Sequence, residues 1–148
     1  MTTVAIYYDK RLSYPNPPFN PPKLYPEYPF SCDNFDSKNL VYEGIRTLFY
    51  ILGFDKENYG SKYWNPLRDI IPKNGIVVIK PNFVISDLNF SNVVHPSVLR
   101  PIVDYAFLAT GPNGKIIIGE GPLFNERCFT SFLKVSGLLK MISYLQKI

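Results

Sequence analysis

Two short and nearly continuous apolar runs stand out in the pattern of hydrophobic and polar positions. Ile76 to Ile79 follows the turn signal Asn74-Gly75 and leaves on Lys80-Pro81-Asn82. Lys115 to Ile118 follows Gly111-Pro112 and leaves on Gly119-Glu120-Gly121-Pro122. Between them the pattern changes period. Leu99, Ile102, Val103, Ala106, Phe107 and Thr110 recur at the three- and four-residue spacing of a helix face that packs on a sheet. Strand, helix and strand with apolar strands predict a βαβ unit in a parallel sheet. Pro101 is awkward, because proline belongs in the first turn of a helix or bends it.

Upstream, Thr3 to Tyr8 is rich in β-branched and aromatic residues and predicts a short strand ending at Asp9. Leu40, Val41, Ile45, Leu48, Phe49 and Leu52 predict a helix over 40–52, with Asn39 as cap and Gly53 as stop. This pair suggests a similar unit before the first. Asn65-Pro66 opens a short turn that Pro72 ends. Residues 127–148 read as two helical pieces divided near Ser136-Gly137, and they hold no acidic residue. Packing of their apolar face on the sheet is the simpler reading. Insertion into a membrane surface as a basic amphipathic helix is the rarer one. The fold class is α/β, a small parallel or mostly parallel sheet with crossover helices, in one domain over residues 1–148.

Residues 13–29 hold seven of the 14 prolines, interleaved with Tyr and Phe. Proline at that density removes helix and ladder donors, so this is a loop, read as a rigid surface loop packed by its own aromatics or as a lid. The 148 residues suffice for one domain, and 46% of them are apolar. A net charge of +4, without a Lys/Arg run or an RNA-binding aromatic motif, favours anionic ligands and excludes a nucleic-acid reading. No stretch is long and apolar enough to predict a membrane span, and residues 1–10 lack signal-peptide features. Cys32 and Cys128 stand far apart with no ligand cluster, so reduced thiols in a cytoplasm are the plainer reading.

In open parallel sheets, ligands bind beyond the carboxyl ends of strands. The predicted strand ends supply Asp9, then Lys80 with Asn82, then Glu120 between Gly119 and Gly121, and His95 stands at the entry to the crossover helix. Lys80 is placed to bind or polarise an anion, Asn82 to orient it and His95 to act as acid or base. Glu120 would fix Lys80 or bind metal. Gly119 and Gly121 allow close approach of a ligand to the backbone. His95, Asp9 and Glu120 are together a weak metal candidate, and no metal site is assigned. Each residue also has a structural reading. Lys80 and Glu120 form a rim ion pair, His95 caps the helix, and Asn82 closes a turn. Arg100 and Asp104, four apart, read as a surface pair, and Trp64 reads as packing. Phosphate-binding, dinucleotide and nucleophile-elbow motifs are absent.

Three blocks carry a resemblance. IIPKNGIVVIKPNFVISD, VVHPSVLRPIVDYAF and GKIIIGEGP, within about residues 70–140, resemble the domain of unknown function 362 family. The matching steps are Lys80-Pro81-Asn82, Val94-His95-Pro96 and Gly119-Glu120-Gly121-Pro122. The resemblance implies an α/β domain with no firmly assigned reaction; with Lys80 and Asn82 at the strand exits, the expected function is to bind or act on a small anionic ligand. Some members of that family carry iron–sulfur segments; the cysteine run for them is absent here, so no cluster is expected and the cofactor is left unassigned. Family domains continue with further strands, so the resemblance also implies an N-terminal fragment or incomplete domain. Its alternative functions are a non-catalytic half-domain that pairs with itself or with a missing C-terminal half, or a peripheral membrane protein.

Overall fold

The computed structural model describes residues 3–31, 34–83, 93–121 and 126–148. Cys32, residues 84–87 of the first family-like block and Pro122 of the third lie outside them. Helix α1 is Leu40–Ile51, strand β1 Ile76–Ile79, helix α2 Pro96–Thr110, strand β2 Lys115–Ile118, helix α3 Glu126–Val135 and helix α4 Leu138–Leu145. β1 and β2 are parallel, in the register Ile76–Lys115, Val77–Ile116, Val78–Ile117 and Ile79–Ile118. With α2 between them they form the expected βαβ unit, and the class is α/β.

The local signals account for the element ends. The Asn39 side chain accepts from the Tyr42 amide at 3.0 Å and caps α1. His95 caps α2 in the same way, its ring accepting from the Ser97 amide at 3.1 Å. Pro96 occupies the first turn, and Pro101 lies within the helix at the cost of a hydrogen bond to the Ser97 carbonyl. Gly137 separates α3 from α4 with φ +83°, a conformation glycine adopts freely.

One sheet face is covered. Val77, Ile79 and Ile116 pack against Tyr105, Ala106 and Ala109 of α2, which form a cluster with Tyr42 and Trp64. Ile79 and Ile118 also pack on Phe132, Leu138 and Met141 of the C-terminal helices. Trp64 is wholly buried and donates to the Phe54 carbonyl at 3.0 Å.

Three expectations are corrected. Thr3 to Tyr8 is not a strand, although it is extended and its side chains alternate in burial. Val4, Ile6 and Tyr8 are 79%, 82% and 82% exposed, and the Tyr7 ring lies on Gly44 of α1. Strand propensity cannot supply a ladder without a neighbouring strand, and the described sheet has only β1 and β2.

The proline-rich segment is not merely a surface loop. It buries Phe19, Asn20, Tyr25 and Glu27, and acts as a strap across α1 and α2. The Asn39 amide donates to the Phe19 and Asn20 carbonyls at 3.1 and 2.8 Å, tying the strap to the start of α1.

Arg100 and Asp104 are not a surface pair. Both side chains are completely buried, with Arg100 Nε 2.9 Å from Asp104 Oδ1. The strap is the reason. Arg100 Nη1 donates to the Pro18 carbonyl at 2.9 Å and to Asn20 Oδ1 at 2.8 Å, and Nη2 donates to the Tyr28 hydroxyl at 2.8 Å. A second buried pair works alongside it. Arg46 Nε donates to Glu27 Oε1 at 2.7 Å, and the Tyr105 hydroxyl donates to the same oxygen at 2.9 Å. The Arg46 guanidinium also lies over the rings of Tyr25, Tyr59 and Trp64. The long irregular segment is thus fastened by charge-assisted hydrogen bonds.

Candidate functional site

β1 and β2 end side by side, so their exit residues meet. Lys80 Nζ donates to Glu120 Oε2 at 2.9 Å. Glu120 Oε1 accepts from the Gly121 amide at 2.8 Å, and its other oxygen stands 3.5 Å from the Phe83 amide. The bond from Lys80 holds the Glu120 carboxyl below the usual carboxylate range, helped by those two backbone donors. The pair is uneven: the Lys80 side chain is 71% exposed and that of Glu120 only 5%. Beside it lies a cavity of about 190 Å³ walled by Phe83, Ile118, Phe129, Leu133 and Ile142, with Gly119 at its edge. A Cβ on Gly119 or Gly121 would meet nothing within 4 Å, so neither glycine is required by packing.

The other expected members are placed differently. Asn82 is exposed, and its backbone carbonyl accepts from the Val94 amide at 3.0 Å, which sets the start of α2 beside the end of β1. The His95 ring packs into the strap. It stacks on Tyr14 with centroids 3.9 Å apart and planes 5° from parallel, and meets the edge of Phe19 at 5.6 Å. Burial lowers its pKa to about 4, so the ring is neutral near neutrality and serves as an acceptor for the helix terminus. Asp9 is not at a strand exit, because the strand before it does not form; it pairs with Arg11 at 2.6 Å. Among the described residues no three His, Cys, Asp or Glu side chains gather as a metal site, so His95, Asp9 and Glu120 do not come together. No helix there is long and apolar enough to cross a membrane. Cys128 is an exposed free thiol.

A further feature, not marked by any motif in the sequence, lies on the sheet itself. Side chains alternate along a strand, so Ile76 and Val78 of β1 share a face with Lys115 and Ile117 of β2. That face is bare: Ile76 is 71%, Val78 66% and Ile117 38% exposed. Strands of parallel sheets are ordinarily covered on both faces, and their apolar residues at every position are the signature of it. The signal was present in IVVI and KIII, whereas among the described residues no layer lies on this face. A second opening lies along α1. Val41, Ile45 and Leu48 of its apolar stripe line a groove of about 510 Å³ together with Tyr7, Leu12 and Tyr14.

Against known proteins, the chain finds no matching family model, no matching curated protein and no matching solved structure.

Proposed function

We propose that this chain is a non-catalytic α/β half-domain whose open sheet face is covered by another polypeptide. The observation that carries this reading is the contiguous exposure of Ile76, Val78 and Ile117 on a parallel sheet with two strands among the described residues. An apolar face of this kind marks an interaction surface on soluble proteins, and a sheet this small has little stability of its own. The dispersal of the expected catalytic group argues the same way. His95 serves as a helix cap and Asp9 as a partner of Arg11, so among the described residues the acid that meets Lys80 is Glu120. A cytoplasmic setting fits the exposed free thiol of Cys128.

Urea unfolding of the isolated chain, with a dye that reports exposed apolar surface, tests this. The expected result is a low midpoint and dye binding that Val78→Lys reduces. Cooperative unfolding of a monomer with a high midpoint and no dye binding sinks the reading.

A second reading follows the resemblance to the domain of unknown function 362 family and makes the strand exits a site for a small anion. The exposed ammonium of Lys80, with open space over Gly119 and Gly121, favours it. Inorganic phosphate that raises the melting midpoint of the wild type but not of Lys80→Ala would support it. Equal response of both proteins would exclude it.

A further inference from the structure

We infer that the bare face of the sheet receives an amphipathic helix of a partner protein, with an apolar stripe flanked by Asp and Glu. The inference rests on the half-domain reading and adds the chemistry of the partner. Shape comes first. The layer that ordinarily lies on a parallel sheet is a helix, as α2 lies on the opposite face here. Val78 is paired with Ile117 and Ile76 with Lys115, so the three apolar side chains form one patch rather than scattered points.

Charge then selects the partner. Lys115 stands on this face, exposed, beside Ile76, and makes no ion pair among the described residues. Lys80, two positions after Val78, is exposed but its ammonium is bonded to Glu120, so the charge offered on this face is chiefly that of Lys115; Lys73, also exposed, precedes β1. Neither strand contains an acidic residue. An apolar centre with a basic border is complementary to an apolar stripe with acidic flanks, which would also steer association. A second copy of this chain is disfavoured, because stacking two such faces brings lysine borders together. A lipid surface is disfavoured because, among the described residues, the patch consists of three short branched side chains without the Trp, Phe or Leu that insert into a bilayer interface.

The test uses the full chain and two labelled synthetic helices of about four turns, with the same leucine stripe. One is flanked by Glu and the other by Lys. Fluorescence anisotropy reads binding, and light scattering reads self-association. The expected result is roughly tenfold tighter binding of the Glu-flanked helix, weakened by salt. Val78→Glu should lose most of that binding. Lys115→Glu should reduce or reverse the preference while leaving the melting midpoint nearly unchanged, since the residue is exposed. Equal binding of both helices, with Val78→Glu disrupting both, overturns the acidic partner and leaves the half-domain reading standing. Binding of neither helix by a stable monomer overturns both. Self-association that Val78→Glu abolishes, or binding only to vesicles of anionic lipid, overturns the inference in favour of a second copy or a membrane.

Discussion

Arg100 and Asp104 lie one helical turn apart on α2 with both side chains shut off from solvent, their nearest N and O 2.9 Å apart. The guanidinium also holds Pro18, Asn20 and Tyr28 of the strap, and Asp104 Oδ2 accepts from the Tyr42 hydroxyl of α1 at 3.0 Å. The pair therefore joins three parts of the chain. Removing one partner leaves an uncompensated buried charge, so Arg100→Met or Asp104→Asn should each cost about 3–5 kcal/mol in urea unfolding. The double variant Arg100→Met/Asp104→Leu should recover much of that loss. Strictly additive losses would count against the coupling.

His95 gives a pH dependence of known sign. Its folded pKa, about 4, lies below the ordinary 6.5 because of burial. Between those values the unfolded chain takes up a proton that the folded ring refuses. Stability from this group is therefore full above pH 6.5 and is lost as pH falls toward 4. Asp104 works in the opposite direction. Burial pushes its carboxyl up to about 6 from 3.8, against the pull of Arg100, so it adds stability as pH falls through the same window. The two contributions therefore oppose each other through this window. His95→Asn keeps a capping side chain that does not titrate. Measured relative to wild type, its stability should rise steadily from pH 7 to pH 4, and a constant difference would show that the ring is not buried neutral.

Gly137 turns the chain between α3 and α4 at φ +83°, and a Cβ there would stand 2.8 Å from Pro17 of the strap. Gly137→Ala meets both the left-handed backbone penalty and that clash. A loss of roughly 1–2 kcal/mol or more in thermal unfolding is expected. A neutral substitution would mean that strap and C-terminal helices do not meet there.

Lys80→Ala should scarcely change stability, since the lysine is largely exposed. Its effect should fall on Glu120, whose carboxyl Lys80 holds low. A pH titration followed by carbon NMR should find the Glu120 pKa raised in the variant. An unshifted value would show that the two backbone amides alone set it.

Much of the architecture was legible along the chain because its causes are local. Asn39 and His95 cap the helices that follow them, Gly137 divides the last two helices, and the IVVI and KIII runs become the paired strands. The candidate site was legible only in part. Lys80 and Glu120 meet because parallel strands end together, whereas Asp9 depended on a strand that finds no neighbour. Arg100 looked like a surface residue because the i, i+4 spacing to Asp104 is the same on an exposed face as on a buried one. What buries it is the strap, about 80 residues earlier in the chain. The bare face has the same origin. Alternation decides which side chains share a face of the sheet, but whether a layer covers that face depends on where the rest of the polypeptide packs. Residue spacing thus determined the elements and their ends; long-range packing alone decided which charges are buried and which apolar face is left open.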